Sequence, residues 1–95
     1  MQGMIVRFQV LPDCEARFET GMQAIASITA EDPDYHYYSV ARIEGETGGY
    51  LVSERFADDA ALVRHMNDPR IGAVMAEIEP CLAGAPAITR MEFLN

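Results

Sequence analysis

The amino-acid sequence predicts an α+β fold in which a four-stranded sheet is covered on one side by helices. Two observations carry this prediction. Four short runs alternate apolar and polar residues with the period of two that marks a half-buried strand. Helical patterns separate them in the order strand, helix, strand, strand, helix, helix, strand. The 95 residues suffice for one modest core, so we expect a single domain over residues 1–95.

The first strand is predicted over residues 4–11. Its apolar side chains share one face: Met4, Val6, Phe8 and Val10. Asp13 is expected to cap the following helix, because its carboxylate can accept hydrogen bonds from the free amides of a first turn. That helix has an apolar stripe at helical spacing, formed by Phe18, Met22, Ile25 and Thr29. We expect the stripe to pack on the apolar face of the strand.

The second and third strands form a predicted hairpin. Pro33 cannot continue a helix, so the chain turns there and enters a strand at residues 35–43. The acidic, glycine-rich residues 44–49 are expected to form the loop, and residues 50–57 the third strand. One face of the third strand comprises Tyr50, Val52, Glu54 and Phe56. A carboxylate therefore interrupts an otherwise apolar row.

Two further helices and a fourth strand complete the order. Asp58 is expected to cap a helix over residues 59–66. Asp68 and Pro69 should begin the next helix, because proline is tolerated in a first turn. The last strand is predicted over residues 87–94. Its alternation assigns two apolar residues to the helix-covered face: Met91 and Phe93.

The outer face of the sheet is expected to mix aliphatic side chains with arginine. Its predicted members are Ile5, Leu11, Leu51 and Ile88 beside Arg7, Arg55 and Arg90. A solvated face would be more uniformly polar, so this composition favours contact with another protein surface. A second copy of the chain is the expected partner.

Charge and cysteine content narrow the possible partners. The formal net charge is −8, and all seven basic residues are arginines, which argues against binding to nucleic acid or anionic membranes. No apolar run approaches the roughly 20 residues that span a bilayer, and no targeting leader is apparent, so a cytoplasmic location is expected. Cys14 and Cys81 match neither a metal site nor a redox motif, so we expect free thiols and no bound metal. A neutral, partly apolar ligand fits this charge best, although one well-placed arginine could still hold a carboxylate or phenolate locally.

These residues resemble the antibiotic biosynthesis monooxygenase family over nearly the whole chain. The most specific matches are Glu54, Arg55, Phe56, Asp59, Ala60, Ala61, Leu62, His65 and Pro69. The resemblance implies a ferredoxin-like βαββααβ protomer that pairs into a homodimeric α+β barrel, with a pocket between sheet and helices in each protomer. It also implies oxidation of an electron-rich phenol or hydroquinone by O₂ without a metal or flavin cofactor.

His65 and Glu54 are the candidate catalytic residues. An imidazole titrates near neutrality and could accept a phenolic proton, although a polar surface histidine is the plainer interpretation. Glu54 is expected on the helix-facing side, where it could act as a base or hold His65 in one tautomer. A structural ion pair with an arginine is the alternative for Glu54.

The residues expected to contact an apolar aromatic ligand are Tyr38, Phe56, Met66, Met75 and Met22. Alternation groups Tyr38 with His36 and Val40 on the helix side, and Tyr37 on the other face. Flexible thioethers suit an adaptable pocket, although core packing explains the methionines more simply.

The sequence leaves more than one function open. A cofactor-independent monooxygenase is the first hypothesis, and a non-catalytic dimeric ligand-binding or interaction module is the second. Phe56 favours the second, because family members usually carry Trp there. Haem degradation ranks third, for the same reason and because the first strand offers Arg7 and Phe8 but no Asn. An open apolar cavity lined by both His65 and Glu54 would oppose the non-catalytic hypothesis.

Overall fold

A four-stranded antiparallel sheet organises the chain in a computed structural model that describes residues 1–95. The elements in chain order are β1 (Gln2–Gln9), α1 (Glu15–Thr29), β2 (Tyr35–Arg42), β3 (Gly49–Phe56), α2 (Asp59–Met66), α3 (Pro69–Ile78) and β4 (Ala87–Glu92). A short 3₁₀ turn, Glu79–Cys81, follows α3. The strands lie in the order β2-β3-β1-β4, which is the ferredoxin-like arrangement. The predicted α+β class and βαββααβ order are confirmed.

The core lies between one face of the sheet and the helices. The predicted apolar faces of β1 and α1 meet there, and each of their expected members is at most 7% exposed. The Phe18 ring of α1 packs between Phe8 and Tyr50, with ring centroids 5.2 and 4.7 Å apart. Tilted aromatic pairs at these distances add to the free energy gained from burial.

Capping explains where two of the three helices begin. Asp58 and Asp68 each accept a backbone N–H of the following turn at 2.9 Å, as predicted. Asp13 does not cap α1, so that prediction was wrong. Its φ of 67° lies in the left-handed region, which Asp tolerates in a tight turn, and Cys14 occupies the N-cap position without a side-chain bond.

The orientation of β4 is the reverse of the predicted one. Arg90 is the register partner of Met4, and Ile88 is the partner of Val6. Because partners in a sheet point to the same face, Arg90 and Ile88 face the helices. Their assignment to the outer face was wrong.

Met91 and Phe93 lie on the outer face instead of in the predicted core. The Phe93 ring covers Gly3, where an added Cβ would lie 2.6 Å from a ring carbon. The Arg55 guanidinium stacks on the Phe93 ring, 3.8 Å from the ring centroid. Because Gly3 has no side chain, β1 leaves space for the Phe93 ring. Alternation within β4 alone cannot reveal that space.

A bulge in β2 reverses another predicted orientation. The pairing with β3 shifts between Tyr35 and Tyr37, which makes His36 the extra residue of the bulge. Tyr37 and Tyr38 still point to opposite faces, and Tyr38 faces the helices, as predicted. His36 lies on the outer face beside Tyr37, so its assignment to the helix side was wrong.

A polar cluster ties α1 to the β2-β3 hairpin. Arg42 donates to both carboxylate oxygens of Glu19 at 2.8 and 2.7 Å, and the Tyr50 hydroxyl also donates to Glu19. The bond from Arg42, followed by the bond from Tyr50, lowers the pKa of Glu19. Burial and the bond to Glu19 raise the pKa of Tyr50 to about 12. The cluster therefore holds an ionised carboxylate against a protonated phenol.

Replacing Glu19 with Gln should lower the free energy of unfolding by about 1 kcal/mol at neutral pH, because charge-assisted bonds to Arg42 and Tyr50 are lost. The folded-state pKa of Glu19 is depressed, so its contribution is present above its ordinary value of 4.5 and disappears as pH falls through the lowered value. Urea unfolding across this range should show the wild-type advantage shrinking on acidification. Glu77→Gln, at an exposed site, is the control; an equal loss in both variants contradicts the expectation.

Candidate functional site

An apolar cavity of about 320 Å³ lies between the helix-facing side of the sheet and the helices, and it opens to solvent. Hydrophobic residues make up 11 of its 15 lining residues. Most of the predicted site residues line it: Glu54, His65, Tyr38, Met66, Met75 and Met22. Phe56 does not, because it is fully buried behind the His65 ring.

Glu54 and His65 meet at the buried wall of this cavity. Glu54 Oε1 lies 3.2 Å from His65 Nε2, and the side chains are only 3% and 8% exposed. The contact is not aligned as a hydrogen bond, and Oε1 has no hydrogen-bond partner within the chain. A buried carboxylate oxygen without a partner costs free energy. The nearest group that could share a proton with it is His65 Nε2.

Thr29 determines which nitrogen of His65 carries a proton. Thr29 Oγ1 donates to the Ile25 carbonyl at 2.7 Å and lies 3.4 Å from His65 Nδ1. Since its single proton is already used, the hydroxyl can only accept from the ring, which places a proton on Nδ1. Nε2 is then the ring nitrogen that faces the Glu54 carboxylate.

Sequence reasoning placed Thr29 in the apolar stripe of α1 and missed its contact with the site. Thr29 is 2% exposed, so its hydroxyl is buried among hydrophobic neighbours. Such a hydroxyl needs partners, and its occurrence in an apolar stripe was the available signal. The partner on α2 could not be read from α1 alone.

Aromatic rings enclose the imidazole. The centroid of the Phe56 ring lies 5.0 Å from that of His65, and the Tyr38 ring lies 5.9 Å away. Burial, and then the charge of Glu54, raise the pKa of the Tyr38 hydroxyl well above its ordinary value. Tyr38 therefore remains a hydrogen-bond donor at neutral pH.

A polar cleft of about 550 Å³ lies on the other side of His65. Arg64 and Asp34 form an ion pair in it at 2.8 Å. Bonds from the Asp34 backbone N–H and from Arg64 lower the pKa of Asp32 in the same cleft. His65 lines both the apolar cavity and this polar cleft.

Other features of the chain lie apart from this site. Cys14 and Cys81 are free thiols, as predicted. No group of three or more His, Cys, Asp or Glu side chains is arranged to hold a metal ion. None of the helices combines the length and apolar character needed to cross a bilayer.

Replacing Thr29 with Val should change the tautomer of His65 while leaving the fold intact, because the isosteric side chain cannot accept a hydrogen bond from Nδ1–H. Long-range ¹H–¹⁵N spectra of the imidazole should report the Nδ1–H form in the wild type and an increased Nε2–H population in the variant. Thr20→Val, on the exposed side of α1, is the matched control. An unchanged His65 spectrum in Thr29→Val would show that Thr29 does not select the tautomer.

Comparisons with known proteins agree with the fold. The profile of the family described as "Antibiotic biosynthesis monooxygenase" matches residues 1–77. A Caulobacter crescentus protein provisionally designated an antibiotic biosynthesis monooxygenase is 29% identical, with a TM-score of 0.93 over 99% of this chain and 90% of that chain. A Deinococcus radiodurans protein with the same designation is 17% identical, with a TM-score of 0.91 over 100% and 94%.

A third similar structure is SnoaB, a cofactor-independent oxygenase from Streptomyces nogalater. It is 16% identical, with a TM-score of 0.86 over 99% of this chain and 93% of that chain. At identities this low, the Streptomyces and Deinococcus structures establish the fold alone. No curated protein matches the sequence.

Proposed function

Because the chain belongs to the antibiotic biosynthesis monooxygenase family, we propose that it is a cofactor-independent monooxygenase that oxidises a phenolic or hydroquinone-type aromatic molecule with O₂. The observation that carries the proposal is the buried pair of Glu54 and His65 at the wall of an open apolar cavity. Oxidation of a phenol needs a base beside the hydroxyl and a dry surface around the ring. The cavity supplies both.

The first step is removal of the phenolic proton. The substrate hydroxyl donates to the Glu54–His65 pair at the cavity wall, where Glu54 Oε1 has no hydrogen-bond partner in the chain. His65 Nε2, 3.2 Å from that oxygen, offers a second acceptor for the proton. The Tyr38 hydroxyl can donate to the developing phenolate, because its raised pKa keeps it protonated. The phenolate is a better one-electron donor than the phenol.

The second step is transfer of one electron from the phenolate to O₂, which yields a phenoxyl radical and superoxide. Their combination forms a carbon–oxygen bond on the ring and, with one proton, a hydroperoxide. The O–O bond then breaks as the proton on that ring carbon leaves, so that water departs and a quinone remains. Overall the substrate loses two hydrogens and gains one oxygen atom, while the second oxygen becomes water. The substrate itself supplies all the electrons.

The non-catalytic alternative has less support from the same cavity. His65 and Glu54 both line it, and it is open to solvent. Phe56 lies behind the imidazole and does not line the cavity, so the Phe in place of the usual Trp removes no ligand contact from it. The residue that motivated the alternative therefore acts as support for His65.

We further propose that each copy of the chain forms one domain and that two copies pair through the outer faces of their sheets as a dimeric α+β barrel. Tyr37 is 52% exposed there, and Ile5, Met91 and Phe93 line a shallow cavity beside it. Arg55 Nε is buried in the same region without a partner. A second copy would cover this apolar surface and could supply an acceptor to Arg55.

Oxygen uptake with a panel of hydroquinones and naphthols tests the proposed reaction. His65→Ala and Glu54→Gln should each lower the rate by about 100-fold, since general-base assistance contributes on that order. Gln23→Ala, at an exposed site on α1, should match the wild type. Uptake no faster than in buffer for every compound, or undiminished rates in His65→Ala, would remove the proposal.

Sedimentation equilibrium tests the pairing of subunits. The wild type should behave as a stable dimer of 10.5 kDa chains. Ile5→Arg should give a monomer, because it buries an unpaired charge within the proposed contact. Val63→Arg, at an exposed site on α2, should remain dimeric. A wild-type monomer at all concentrations is the contrary result.

A further inference from the structure

Four side chains form a single row across the helix-facing side of the sheet. Glu54 is the register partner of Tyr38 on β2 and of Met4 on β1, and Met4 is in turn the partner of Arg90 on β4. All four line the apolar cavity. The row thus presents a phenol, a carboxylate, a thioether and a guanidinium in that order.

The spacing of this row sets a length. Adjacent strands are about 4.8 Å apart, so the backbone positions of Glu54 and Arg90 are separated by about 10 Å. Met4 provides an apolar floor between them. The next row along the strands is apolar, with Val52, Val6 and Ile88 in the cavity wall. The cavity therefore has a proton-accepting end, an apolar middle and a cationic end.

Arg90 is the only arginine that lines the cavity. Its side chain is 47% exposed, so it lies where the cavity meets solvent. One of its nitrogens, Nη2, contacts the carboxylate of Asp59 at the beginning of α2, and its remaining donors have no partner in the chain. Asp59 therefore orients the guanidinium and leaves donors available for a second anion.

We propose that the cavity selects an elongated aromatic molecule with a hydroxyl at one end and an anionic group, such as a carboxylate, at the other. A volume of about 320 Å³ suits about two or three fused rings, at the small end of ligand sites. The guanidinium can bind a carboxylate through two parallel hydrogen bonds. The role of the hydroxyl end rests on the proposed function, whereas the need for an anion rests on Arg90.

The test compares 6-hydroxy-2-naphthoic acid with its neutral methyl ester, using ligand fluorescence to measure Kd at physiological ionic strength. The wild type should bind the acid about tenfold more tightly, which corresponds to one charge-assisted contact. Arg90→Gln should abolish this preference and leave the affinity for the ester unchanged. Asp59→Asn breaks the same ion pair but keeps the guanidinium, so it should retain or strengthen the preference.

Equal affinity of acid and ester for the wild type, or failure of either ligand to bind, overturns the inference. So does a preference that persists in Arg90→Gln or disappears in Asp59→Asn. Unchanged ester binding by Arg90→Gln shows that the cavity is still folded. Oxygen uptake with the same ligands separates the two proposals. Selective binding without turnover contradicts only the proposed function, and turnover of both ligands without selectivity contradicts only the anion requirement.

Discussion

Burial of the Glu54 carboxylate is the constraint on which the helix-facing side of the sheet depends. The Glu54 side chain is 3% exposed, and α2 holds the His65 ring against it with Nε2 3.2 Å from Oε1, although Oε1 has no aligned hydrogen bond within the chain. The imidazole in turn relies on Thr29 of α1 and on the Phe56 ring of β3. Two helices and the sheet thus converge on one pair of polar groups, which explains how so small a domain keeps a polar pair inside its core.

The two sides of the His65 ring differ in chemical character. The cavity side is dominated by hydrophobic side chains, whereas the opposite cleft contains ion pairs such as Arg64 with Asp34. Apolar rings partition into an environment of the first kind, whereas charged groups are stable in one of the second. The His65 ring lies at the boundary between the two.

The sequence pattern predicted best the elements that bury a continuous apolar face. β1, α1 and β3 bury a continuous face, so their periodicity identified the core and the inward orientation of Glu54. The errors fell where orientation depends on another segment. His36 is displaced by a bulge, and Phe93 occupies the space above Gly3. Thr29 was likewise predicted to be buried, but its partner on α2 became visible only after the helices were assembled.

The two ends of the chain are joined to one another. The Phe93 N–H donates to the Met1 carbonyl at 2.9 Å, and Arg55 donates to the Asn95 carbonyl at 2.8 Å. Phe93 and Arg55 both border the outer face of the sheet. An affinity tag fused at either end would therefore emerge beside the surface through which subunits would associate, so a tagged protein needs a long flexible spacer, or removal of the tag, before assembly is measured.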